Sequence, residues 1–196
     1  NKYNLEDKSR LSIYAAYYHL YDKTGNVNLY LEYAVKNVNL SKIVFGEVSI
    51  EHLISLINFT VALNKLKKNN QALTILEKAF TVFEKLDIEI ISLLTCQLFI
   101  VRASIYQDLK MLVEAEKDLI MVLKTLVKLE QDYPQKKQII GSALLNMGFV
   151  NYKMDKFEKS IKFFDSALLL YNNEFPTNSL NIANIENHLA NSYSSL

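Results

Sequence analysis

Residues Gly141 to Tyr171 read GSALLNMGFVNYKMDKFEKSIKFFDSALLLY. Leu144, Met147, Gly148 and Asn151 fall at helical spacing and mark one face of a first helix. Met154, Asp155 and Lys156 make a short polar break. Phe157, Ser160, Ile161, Phe164, Ala167 and Leu168 then follow at i, i+3, i+4, i+7, the apolar stripe of a second helix. Gly148, Ser160 and Ala167 are small, and bulky Phe157 and Phe164 flank them. Alternation of this kind lets two helices interlock as a hairpin at close axial approach.

The stretch recurs through the chain. The small residues of successive first helices are Ala15, Thr60, Ala103, Gly148 and Ala190, spaced 45, 43, 45 and 42 residues apart. On the second helices a 0, +4, +7 run repeats as Val27, Leu31, Ala34; Ala72, Leu76, Ala79; Ala115, Leu119, Val122; and Ser160, Phe164, Ala167. The offset from the first-helix small residue to the start of the run is 12 in every pair. An accidental amphipathic bundle would not hold that offset four times. The repeats fall at about 1–44, 45–87, 88–132, 133–175 and, as a partial unit, 176–196. We expect one domain over 1–196, and a fragment of a longer protein.

The small first-helix residue and the Ser160, Phe164, Ala167 run resemble the tetratricopeptide repeat, and so do their counterparts in the other repeats. The resemblance covers nearly the whole chain. It implies an all-α fold: an α-solenoid, or superhelix, of antiparallel helix hairpins, here four repeats and a trailing helix. The common form of the repeat is about 34 residues long, so these units carry about ten extra residues each. Their length and the junctions Phe45–Ile50 and Phe175–Ala183 are similar to the long repeats of kinesin light chains and related cargo-binding adaptors.

Turns and caps are legible around this frame. Asp22–Gly25, Lys67–Asn70 and Leu109–Met111 are turn chemistry. Ser49 and Asp87 are placed to cap helix starts, and Pro134 sits where a helix start tolerates the missing N–H. Two residues break the pattern. Arg102 holds the slot of Phe59 and Met147, so its head either reaches solvent or meets an acidic partner. Asn151 holds the slot of Tyr18 and Tyr106.

Composition excludes several classes. Four Gly and two Pro in 196 residues disfavour a turn-rich β fold. A formal charge of +1 speaks against a nucleic-acid partner. No apolar run is long enough to cross a bilayer, so no membrane insertion is expected. Cys96 is the one cysteine, which rules out an internal disulfide and fits a reducing, cytoplasmic setting. We read Cys96 as a small apolar packing residue. His19, His52 and His188 lack the i, i+4 spacing of a helical metal pair. No phosphate loop, nucleophile elbow or paired-carboxylate signature occurs, so no catalytic residue, cofactor or metal is assigned.

The resemblance implies that first helices line a concave, ligand-binding side. The positions facing it are Ser12, Ile13, Ala16 and His19; Ile57, Asn58, Val61 and Asn64; Ile100, Val101, Ser104 and Gln107; Leu145, Asn146, Phe149 and Tyr152; Asn187, His188, Asn191 and Ser194. Amides there can pair with the backbone of an extended peptide, and the apolar residues can pocket its side chains. We take as the peptide-binding set Ile57, Asn58, Val61, Asn64, Ile100, Ser104, Gln107, Leu145, Asn146, Phe149, Tyr152, Asn187, His188 and Asn191. Repeat proteins that capture acidic chaperone tails carry Lys or Arg on this face. Here the matching slots hold Ser12, Ala16, Asn58, Gln97 and Val101, and a carboxylate finds no cation. The expected function is a non-catalytic scaffold or adaptor binding a peptide or helical segment of a protein. The alternative is a spacer or self-association element of a larger, cytoskeleton-associated assembly.

Overall fold

A computed structural model describes residues 5–86, 92–129, 134–175 and 179–196. Among the described residues there are nine helices and no strand. They group into two compact units, residues 1–89 and 90–196. The first holds α1 (Leu5–Lys23), α2 (Val27–Phe45), α3 (Ile50–Lys65) and α4 (Asn69–Lys85). The second holds α5 (Ser92–Asp108), α6 (Leu112–Lys128), α7 (Pro134–Lys153), α8 (Phe157–Glu174) and α9 (Ser179–Ser194). In each unit consecutive helices pack as antiparallel hairpins, and in the second α5 also packs on α7. The expected pairing of first and second helices is therefore observed four times, with α9 as the trailing helix.

The turns repeat as faithfully as the stripes. Lys67, Lys110 and Asp155 have φ of 57°, 61° and 57°, the left-handed conformation that ends a helix. At each, two backbone bonds close the end. Lys68 N–H donates to Leu63 O and Lys67 N–H to Asn64 O, and the same pair recurs from Met111 and Lys110 and from Lys156 and Asp155. Asp tolerates this conformation, but at Lys67 and Lys110 it is held against the intrinsic preference of the residue. The first hairpin differs: α1 runs on through Lys23, Gly25 takes φ 72°, and Asn26 caps α2 by accepting from Leu29 N–H at 3.3 Å. Likewise α4 begins at Asn69, so the turn before it is shorter than its polar residues suggest. Ser49 caps α3 from His52 N–H, and Pro134 opens α7. Asp87 lies outside the described residues.

The small-for-large alternation sets helix separation. A β-carbon built on Gly148 would lie 2.5 to 2.8 Å from three ring carbons of Phe164, which is fully buried. Where the first-helix residue is Ala103 or Thr60, the facing run carries Leu119 or Leu76 instead of a ring. In the second unit Ser160 Oγ donates to Gly148 O at 2.9 Å and lies 3.2 Å from Ser192 Oγ, which donates to His188 O. Three helices are thereby tied through buried hydroxyls. Cys96 is fully buried against α6, and burial pushes its thiol up to about 11, so it packs as a protonated apolar group.

On α9, Ile185, Leu189 and Ser192 are buried, as in the other first helices. Ala190 and Tyr193, on the face that a second helix covers in the other repeats, are exposed, Tyr193 by 58%. The recurrence of the stripe is thus present in α9, but only part of it is packed.

Candidate functional site

The candidate peptide-binding residues occupy successive turns of α3, α5, α7 and α9. In the first unit Asn58, Val61 and Asn64 are half-buried on α3, and Ile57 is buried at 5% exposure. Asn58 Nδ2 donates to Tyr18 Oη at 2.9 Å, while Tyr30 Oη donates to the backbone oxygen of Asn58 at 3.3 Å. Asn58 thus ties α3 to α1. Burial raises the Tyr18 phenol above its ordinary value, which keeps it a neutral hydrogen-bonding group.

In the second unit Ile100, Ser104, Leu145, Asn146, Phe149 and Tyr152 are half-buried, Asn187 and Asn191 are exposed, and Gln107 is buried at 7% exposure. The packing of α5 on α7 brings two of these amides together: Gln107 Nε2 donates to Asn146 Oδ1 at 2.8 Å. Asn146 Nδ2 donates in turn to Ser142 O at 2.8 Å. Asn146 therefore has both ends of its amide engaged inside the fold. The amides with open surface are Asn187 and Asn191.

Phe149 and His188 meet rather than standing side by side on the surface. Their rings are 4.5 Å apart, edge to face. Phe149 also sits edge-on to Phe164 at 5.3 Å, and His188 stacks on Phe164 at 5.7 Å. The three rings join α7, α8 and α9. Burial holds the His188 imidazole below its ordinary pKa, so it remains neutral among the rings at neutral pH. Tyr152 rests on Phe157, the first residue of α8, at 5.6 Å. None of the candidate residues is charged, and beside them Lys153 Nζ lies 3.4 Å from the Gln107 backbone oxygen. Among the described residues no group of His, Cys, Asp or Glu could hold a metal ion.

The acidic partner of Arg102 is Asp118. Arg102 Nε and Nη2 each lie 2.7 Å from one oxygen of the Asp118 carboxylate, a two-pronged pair joining α5 to α6. The guanidinium lies over the rings of Phe99 and Tyr106, at 4.9 and 5.8 Å. The Asp118 hydrogen bond raises the Arg102 pKa further, against the opposing effect of burial. Asp118 was missed as a partner, although the sequence holds a signal for it. It stands three residues into the second-helix run, where the other repeats have Tyr30, Ile75 and Phe163. One repeat thus carries a charge of each sign in two slots that are apolar elsewhere. Asn151, the other anomaly, is fully buried; its Nδ2 donates to Met147 O, and its Oδ1 has no partner.

No family model and no curated protein matches the chain. Solved structures do. A single-residue variant of the nearly identical TPR-like repeats of a putative kinesin light chain from Podosopora anserina superposes over 98% of this chain and 89% of its own, with a TM-score of 0.62 and 15% identity. The fold is a tetratricopeptide-like repeat solenoid. The crystal structure of the same repeats without that substitution covers the whole of this chain and 89% of its own, with a TM-score of 0.60 and 14% identity. BtubC (BKLC) from P. vanneervenii matches 83% of this chain with a TM-score of 0.63 and 18% identity. This chain spans 63% of the length of that protein. The fold is thus similar to that of the tetratricopeptide-like repeats of kinesin-light-chain-like proteins, the repeat that the sequence resembles.

Proposed function

We propose that this repeat protein is a non-catalytic interaction scaffold that binds a peptide or helical segment of a protein partner along the faces of its first helices. The observation that carries the reading is the amide-bearing face of α5, α7 and α9. There Leu145 and Tyr152 are half-buried, Asn187 and Asn191 are exposed, and the Gln107–Asn146 bond holds α5 and α7 at fixed register. Amides of that kind can pair with an extended backbone while the apolar neighbours take its side chains. The kinesin-light-chain-like neighbours favour a cytoplasmic, cytoskeleton-associated role. No helix among the described residues is long and apolar enough to cross a membrane. We further propose that the four repeats and the trailing helix form one domain.

A photo-cross-linking amino acid placed in turn at Tyr152, Asn187 and Asn191 tests the reading, with the same group at Val113 on α6 as the control. Each is at the surface or half-buried, so the hairpins stay intact. Cross-links to one partner from the three first-helix positions and none from Val113 are expected. Cross-links from Val113 alone would move the site to the second helices and refute the assignment.

We propose as a second reading self-association through α9, whose Tyr193 is exposed. Light scattering separates the two. A dimer abolished by Tyr193→Glu supports self-association, and a monomer at all concentrations removes it.

A further inference from the structure

The first unit contains a cleft that the candidate peptide-binding face does not use. It has a volume of about 400 Å³ and opens between α2, α3 and α4, within the size range of small-molecule sites. Its apolar lining comes from Val38 on α2, Leu56 and Phe59 on α3, and Ile75 and Val82 on α4. Its polar lining is dominated by cations: Lys42 on α2, and Lys78 and Lys85 on α4. Lys78 and Lys85 are two turns apart on one helix face, about 10 Å along the axis.

One carboxylate, Glu47, lies among these lysines, with Lys42 Nζ 3.2 Å from its Oε1. The hydrogen bond from Lys42, with the charges of Lys42, His52 and Lys85, holds the Glu47 carboxyl below the usual range. His52 lines the same cleft, and burial together with Lys42 pushes its imidazole down. The excess of lysines over carboxylates in the lining gives the cleft a positive local field. Low-dielectric walls around charges of one sign concentrate such a field. Among the described residues neither Lys78 nor Lys85 is in a salt bridge, so one carboxylate answers three ammonium groups.

We propose that this cleft binds a linear organic monoanion with an aliphatic body, a medium-chain carboxylate. Its head pairs with Lys78 or Lys85, and its chain lies over the half-buried Val38, Phe59 and Ile75. The apolar lining gives a small hydrophilic anion nothing to bury, and the excess of lysines repels a cationic amphiphile. A helix about 10 Å across does not enter a space of this volume. Glu47 shows that a carboxylate is accommodated in the cleft beside Lys42.

Isothermal titration of the whole chain with decanoate, below its micelle-forming concentration, tests the site. Acetate, decyltrimethylammonium and tetraglutamate serve as comparison ligands. Saturable decanoate binding is expected, with none by acetate or decyltrimethylammonium. Lys78→Glu with Lys85→Glu should weaken decanoate about tenfold or more, and Lys78→Arg with Lys85→Arg should restore it. Both lysines are exposed, so helicity by circular dichroism should not change in either variant. Four results overturn the proposal: no decanoate binding, equal binding of decyltrimethylammonium, decanoate affinity unchanged in the Glu variant, or tetraglutamate binding in place of decanoate. The last would make the occupant an acidic peptide.

Discussion

Gly148→Ala adds one methyl group where α7 crosses α8. The new β-carbon would lie 2.5, 2.6 and 2.8 Å from the Cε1, Cδ1 and Cζ atoms of Phe164. Ordinary carbon contacts are about 3.5–4.0 Å. Phe164 is fully buried within the cluster of Ile161, Ala167, Tyr171 and Ile185, so the ring has no free volume to enter. Overpacking of this kind costs about 1–3 kcal/mol, and three close ring carbons place it near the upper end. The gain in helix propensity of Ala over Gly returns about 1 kcal/mol. The net expectation is a loss of about 2 kcal/mol. Phe164→Leu alone leaves a partial cavity and should cost about 1–2 kcal/mol. The double variant recreates the Ala103–Leu119 pair, both members of which are fully buried in the preceding repeat. It should therefore be less damaged than the sum of the single changes, with a coupling of about 2 kcal/mol. Equilibrium urea unfolding of the four proteins, followed by circular dichroism, measures this. Additive losses, with a coupling within about 0.5 kcal/mol of zero, would refute the idea that the two slots set one helix separation.

Three further outcomes are expected. Asp118→Ala strands the Arg102 guanidinium, whose side chain is 28% exposed, and should cost about 2 kcal/mol once partial solvation is allowed for. Arg102→Met with Asp118→Leu should recover most of it in the same unfolding assay, and no recovery would show that the pair does more than fill two apolar slots. Lys110→Gly relieves a β-carbon held at φ 61° and should stabilise the protein by about 0.5–1 kcal/mol in chemical denaturation; a loss would mean that the Lys110 side chain matters more than its backbone. His52 and His188 are both held below their ordinary pKa by burial, so the unfolded chain binds more protons than the folded one. Their contribution is complete above the unfolded value of about 6.5 and is lost as pH falls through the lowered folded values. The urea midpoint should drop as pH falls below about 6.5, less so in His52→Gln, and a flat profile would contradict the assignment.

The hairpin repeat was legible because it rests on period and offset. Ala15, Thr60, Ala103 and Gly148 stand at a constant distance from the runs that begin at Val27, Ala72, Ala115 and Ser160, and local helix formation with hairpin closure follows from that spacing alone. The all-α class followed from the same pattern and from the scarcity of Gly and Pro. The turns at Lys67, Lys110 and Asp155 were legible, but the left-handed conformation at Lys67 and Lys110 was not, since lysine disfavours it and only the packed hairpin enforces it.

Side-chain contacts between helices could not be read from one helix at a time. The sequence places Asn146 and Phe149 on one face of α7 and His188 on the equivalent face of α9. Tertiary packing decides that Asn146 bonds to Gln107, and that Phe149 and His188 close on Phe164. The Arg102–Asp118 pair and the lysine-lined cleft likewise join residues from different helices, and which of them meet depends on interhelical distance and rotation. By itself the sequence determined where helices form, how they pair and which stripe is buried, because those depend on contacts within a few turns. Only the tertiary structure decided which polar groups satisfy one another and which stay open to a ligand, because that is settled by the partner each group meets across a helix interface.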